Sequence, residues 1–156
     1  MAFNPGWGMT RSIYLSAILL IPSLTALAAD GPALDAAKYP QDTPHNALSS
    51  IVNLLEHEEY AYWITWLMTA EDLKRLVAKH GSVEKTAEHF KVNRAAHMKQ
   101  RCELMKKMLA ENNTTNGESN GTKWVRFQSD EKVLQFELQP DGTWRMNTTV
   151  ISAEPK

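Results

Sequence analysis

Apolar residues recur at helical spacing from Asn46 to about Glu111, and at every second position from Lys123 to Val150. The first pattern predicts helices and the second predicts strands. Leu48, Ile51, Val52 and Leu55 form one apolar face, which Tyr62, Trp63, Trp66 and Leu67 continue. The acidic run Glu56-His57-Glu58-Glu59 divides this stretch in two. Thr69, followed by Glu71-Asp72, reads as an N-cap with first-turn acids, opening a helix with Leu73, Leu76 and Val77 inside. Gly81 ends that helix. Ser82 caps a short helix through Phe90, and Asn93 caps the last one. There Ala95, Met98, Cys102, Met105 and Leu109 step by three and four, Leu104 and Met108 widen the stripe, and Lys106 and Lys107 suit the C-terminal turn.

The strands take their register from one turn. Gln139-Pro140-Asp141-Gly142-Thr143 reads as a type I turn followed by a glycine in the left-handed region. It pairs Leu138 with Trp144, Glu137 with Arg145 and Phe136 with Met146. Leu134, Phe136, Leu138, Trp144 and Met146 then share one face. Glu137 and Arg145 sit opposite each other on the other face as a charge pair, with Trp124 on that same outer face. A tight turn near Asp130-Glu131 adds Val125 and Phe127 to the apolar side. A sheet apolar on one side must be covered, and the helices are the available cover. The fold class is therefore α+β, with N-terminal helices packed on a curved three- to four-stranded antiparallel meander. Between helices and strands, Asn112–Gly121 is polar and rich in turn formers, and reads as a loop.

The N-terminus changes the picture of where this domain works. Met1–Ser12 carries Arg11 as its only charge, Ile13–Leu27 is mostly apolar, and Ala26-Leu27-Ala28 has the small-x-small form of a signal-peptidase site. This order reads as a secretory signal peptide, with Met9 an alternative start. An uncleaved anchor is the other reading, but the apolar run is shorter than the ~20 residues a span prefers and is interrupted by Pro22. No cysteine lies near the site for a lipid anchor. The expected organisation is a signal peptide over 1–28, a flexible Pro/Gly-containing linker over 29–45, an α+β domain over 46–150 and a tail over 151–156. The destination is periplasmic or extracellular.

Composition narrows the function classes. The 156 residues are 43% hydrophobic with a formal net charge of −1, enough for one cored domain. Cleavage would remove Arg11 alone among charged residues, so the mature chain stays mildly acidic, against a dedicated nucleic-acid binder. The single cysteine, Cys102, cannot form an internal disulfide, and its helical position reads as buried and structural rather than nucleophilic. His45, His57, His80, His89 and His97 show no dedicated metal-ligand spacing, so neither metal nor cofactor is assigned. Lys99, Arg101, Lys106 and Lys107 read as a solvated basic side of the long helix. Sequons at Asn112, Asn113, Asn120 and Asn147 matter only in a eukaryotic secretory route.

The segments "ALSSIVNLLEHEEYAYWITWLMTAEDL", "AAHMKQRCELMKKMLAEN" and "VLQFELQPDGTWRM" give an order of early helices, long helix and meander hairpin. This order resembles the nuclear-transport-factor-2-like (SnoaL-like, cystatin-like α+β) superfamily, in particular small exported bacterial members, from Asn46 to Val150. The resemblance implies a pocket between helices and sheet, used in that superfamily for ligand binding, isomerase or dehydratase chemistry, or protein docking. It also implies a further strand between helices, for which Phe90-Lys91-Val92 is the one candidate. Fold does not choose among these functions. The expected inward face, Val125, Phe127, Leu134, Phe136, Leu138, Trp144 and Met146, holds no acid or base, which argues against an enzyme. No catalytic residue is assigned.

The leading expectation is a non-catalytic binding domain, taking a small apolar molecule in the helix–sheet pocket or a protein partner on the sheet. The ligand-binding candidates are His57, Tyr60, Tyr62, Trp66, Phe136 and Trp144. An isomerase or lyase using His57, Tyr60 or Tyr62 is the first alternative. A structural homodimer burying Trp124 between outer sheet faces is the second. No nucleic acid is expected as a partner, and no membrane after cleavage.

Overall fold

The computed structural model describes residues 35–130 and 132–148. The predicted signal peptide, the start of the linker and the 151–156 tail lie outside the described residues. Among the described residues, five helices precede a four-stranded antiparallel sheet, confirming the α+β class. The helices are α1 (Pro44–Glu56), α2 (Tyr60–Tyr62) running into a π-helical turn (Trp63–Leu67), α3 (Ala70–His80), α4 (Val83–Asn93) and α5 (Ala95–Glu111). The strands are β1 (Thr114–Ser119), β2 (Thr122–Ser129), β3 (Lys132–Leu138) and β4 (Trp144–Asn147), adjacent in chain order. Among the described residues no helix is long and apolar enough to cross a membrane.

Local chemistry sets the helix ends. Thr43 Oγ1 accepts the Asn46 amide at 3.1 Å and Pro44 opens α1, which therefore begins before Asn46. At its end, Glu59 N donates to Leu54 O (2.8 Å) and Glu58 N to Leu55 O (3.2 Å), with Glu58 at φ 56°. This is a Schellman closure with glutamate at the left-handed position, and it is what the acidic break consists of. Thr69 caps α3 as expected, and Gly81 (φ 95°) closes it. Ser82 caps α4, which runs on through Asn93, so the Asn93 cap on α5 is not formed. Asn93 Nδ2 instead lies 3.3 Å from His89 Nδ1, and α5 begins after Arg94 without a side-chain cap. Phe90-Lys91-Val92 is helical, not extended, because it completes α4.

The linker expectation needs correction over its described part. Tyr39 is buried, and its hydroxyl donates to Glu59 Oε2 at 3.0 Å. Ser50 Oγ donates to Pro40 O at 2.9 Å, and Trp144 N to Gln41 O at 2.9 Å. Residues 39–41 thus strap α1 to β4, held by an aromatic ring that gains from burial.

The sheet register follows the turn. Leu138 pairs with Trp144, Glu137 with Arg145 and Phe136 with Met146. Val125 pairs with Phe136 and Phe127 with Leu134. Gly142, at φ 81°, donates to Gln139 O at 2.9 Å. The expected loop over 112–121 is instead β1 plus a two-residue hairpin, Asn120-Gly121, with φ 51° and 76°. Both positive angles match the type I′ turn that Asn-Gly favours. Across this hairpin Trp124 folds over Gly117, so close that a Cβ there would collide with the indole. Gly117→Ala gains about 0.5–1 kcal/mol of backbone preference but overpacks the ring by about 1–3 kcal/mol. A net loss of about 1 kcal/mol in urea unfolding is expected. An unchanged midpoint would show the ring has no fixed seat.

Helices and sheet close on one core. Leu48, Ile51, Leu54, Trp63, Ile64, Leu67, Met105 and Met108 from the helical layer meet Phe127, Leu134, Phe136 and Met146 from the sheet, all buried. Phe127 and Phe136 pack edge to face, 5.6 Å apart at 79°.

Candidate functional site

The expected pocket between long helix and sheet is occupied by side chains. Phe136, Met105 and Met108 are each 0% exposed, so Phe136 presents no surface to a ligand. The inward alternation placed it correctly, and close packing of the two layers fills the space it faces. Trp144 is half-buried at the sheet end, where its amide is taken by Gln41. Tyr62 and Trp66 are half-buried against the helical side of the core. His57 is exposed at the C-cap of α1, with Nδ1 2.8 Å from Asn53 O, a contact that closes the helix end.

A groove of about 520 Å³ opens elsewhere, between the end of α1, α2 and the first turns of α5. Leu55, Tyr60, Ala95, Ala96 and Cys102 give its apolar lining, and Glu56, Glu58, Lys99, Glu103 and Lys106 its polar lining. Of the six sequence candidates, Tyr60 alone lies there. The structure does not bring His57, Tyr60 and Tyr62 together in it. The other groove residues come from the end of α1, the turn at Glu58 and α5, and most of them are solvent-facing positions that an apolar stripe does not single out.

Local geometry builds this groove. The Schellman turn at Glu58 reverses the chain and sets Tyr60 against α4, edge-on to Phe90 at 6.3 Å. Burial first, and Glu58 second, push the Tyr60 phenol above its ordinary range, so it stays protonated at neutral pH. Burial likewise raises the Cys102 thiol, whose Sγ approaches Val52 O at 3.9 Å. This is an inert structural thiol in character. Lys106 bridges Glu56 (2.8 Å) and Glu103 (2.9 Å), and these hydrogen bonds raise its pKa and lower that of Glu56. Glu58 pairs with Lys91 at 3.2 Å. Among the described residues, Lys99 is the lining cation left without an ion pair.

Two other expectations change. Arg145 does sit opposite Glu137, yet its guanidinium turns to Asp141 Oδ2 at 2.7 Å. Glu137 Oε1 instead accepts from Gln135 (2.8 Å) and Asn147 (2.6 Å), and Gln135 Oε1 accepts from Arg126 at 2.8 Å. Arg126 also lies over Trp124, 4.5 Å from the ring centre. The outer sheet face is therefore a connected polar ladder, with Trp124 laid along it.

Arg101 is not part of a solvated basic face. Met98, Arg101, Met105 and Met108 step by three, four and three residues along α5, and all three methionines are buried. That spacing carries Arg101 into the core stripe, over Trp63 with Cζ 5.4 Å from the ring centre. Among histidines, His80 and His89 approach to 4.7 Å, and burial followed by His89 lowers the His80 pKa. Compared with protein-family models, with curated proteins and with solved structures, the chain gives no match to any of them.

Proposed function

We propose that this chain is an exported, non-catalytic binding domain of nuclear-transport-factor-2-like type, taking a small amphipathic molecule in the groove between α1, α2 and α5. The observation that carries this reading is the groove itself. Its volume of about 520 Å³ lies within the ~300–1,000 Å³ of small-molecule sites, while the helix–sheet interior is packed. Leu55, Ala95, Ala96 and Tyr60 suit an apolar body. Lys99, the cation not already neutralised, suits an anionic head. The alternatives have less support. His57 serves the end of α1 and the outer sheet face engages its own side chains, which favours the groove over catalysis or sheet docking. The exported destination rests on the signal-like residues 1–28.

Decanoate is the direct probe, read by isothermal titration. Ala96→Trp fills the groove from an exposed position and leaves the core untouched. Saturable binding is expected for the parent chain, with at least about tenfold loss in Ala96→Trp, the equivalent of about 1.4 kcal/mol. Equal binding by both would place the ligand elsewhere.

A further inference from the structure

A second feature lies on a different face of α5 from the groove. Arg101 Nη2 is buried and has no hydrogen-bond partner among the described residues, and the same holds for Trp63 Nε1, over whose ring the Arg101 guanidinium sits at 5.4 Å. Two neighbouring buried donors without an acceptor are unusual, since buried polar groups are almost always satisfied. The nearby carboxylate does not serve them. Asp72 is committed to Arg75 Nη2 (2.6 Å), Thr148 N (2.5 Å) and Thr69 Oγ1 (3.2 Å). It acts on Arg101 only through space, partly offsetting the burial that pulls the guanidinium pKa down to about 10.

We propose that Arg101 and Trp63 form a buried oxyanion subsite, accepting a carboxylate or phosphate group onto Arg101 Nη2 and the Trp63 indole N–H. A guanidinium beside an aromatic face is well matched to such groups, with its fork of donors and its weak hydration. Trp63 opens the π-helical turn Trp63–Leu67, a widened geometry that recurs at functional sites. Arg94, the N-cap residue of α5, precedes Arg101 by seven residues on the same side, is exposed, and forms no ion pair among the described residues. It extends positive character from solvent to Arg101, which itself keeps partial exposure.

The test follows the Trp63 indole N–H in ¹⁵N-correlated spectra, assigned through Trp63→Phe. Acetate and inorganic phosphate are titrated separately at constant ionic strength, against chloride alone. A saturable shift of that resonance with either anion, absent with chloride, is expected. Arg101→Lys keeps the charge but loses the fork, and should weaken the response at least about tenfold. A response to acetate alone assigns a carboxylate, and one to phosphate alone assigns a phosphate group. No saturable shift with either anion, or an equal response in Arg101→Lys, overturns the proposal. Should the lysine variant fold poorly, the parent titration decides by itself. Because decanoate binding in the groove is read separately through Ala96→Trp, either site can fail without the other.

Discussion

Phe136→Ala is expected to destabilise the domain by about 3–5 kcal/mol in equilibrium urea unfolding. Phe136 has no exposed surface and stands edge to face with Phe127 at 5.6 Å, inside the core that the helical layer closes over the sheet. Truncation removes a ring's transfer energy and leaves a cavity that two packed layers cannot easily collapse. Phe136→Leu, which keeps most of the volume, should cost much less, on the order of 1.5 kcal/mol. The contrast separates two roles for this residue. A side chain lining an open ligand pocket would lose binding on truncation and little stability. A loss below about 1 kcal/mol for alanine would mean the interior between helix and sheet is not packed as described.

Asp72→Ala should be nearly as damaging, at about 2–3 kcal/mol. Asp72 is 1% exposed and joins the first turn of α3 to the end of β4. Its Oδ2 accepts the Thr148 amide at 2.5 Å and the Thr69 hydroxyl at 3.2 Å, and Oδ1 accepts Arg75 Nη2 at 2.6 Å. Alanine strands the Thr148 N–H and removes the charge that acts through space on Arg101. Arg75 is half exposed and can return to water, so the cost stays below that of a fully buried ion pair. Asp72→Asn keeps an acceptor but turns an amide toward Arg75, so its loss should fall between alanine and the parent. Thermal unfolding of the three proteins checks the order. An alanine variant equal to the parent would show that α3 and β4 are not joined through this carboxylate.

Much of the fold was legible because single turns and caps dictate register. The Pro-Asp-Gly turn fixes one glycine's left-handed conformation, and that conformation determines every pair between β3 and β4. Thr69 and Ser82 were readable for the same reason, since a short oxygen-bearing side chain before a helical pattern has one local use. The β1 strand was not legible from hydrophobic alternation. Thr-Thr-Asn-Gly-Glu-Ser is polar on both faces, and only Asn120-Gly121 signalled the hairpin. Glu58 was missed as a closure because glutamate is a poor left-handed residue, and the burial of Tyr60, two residues on, overrides that preference.

The candidate site was less legible, for a physical reason. Alternation tells which way Phe136 points but not whether the space it faces is filled when the helical layer packs on the sheet. The groove depends on how α1, α2 and α5 meet, which is a tertiary matter, so Tyr60 alone was found in advance. Arg101 did carry a readable signal. It occupies the position between Met98 and Met105 in the buried stripe, where a charge demands a partner.

Whether the groove is the binding site is best decided by a backbone and methyl NMR titration with decanoate, reading which residues respond. Binding in the groove should give saturable shifts concentrated at Leu55, Tyr60, Ala95, Ala96, Lys99 and Cys102, with Phe136, Met105 and Met108 unmoved. Saturable shifts centred on Phe136, Met105 and Met108 would refute it, placing the ligand between helix and sheet.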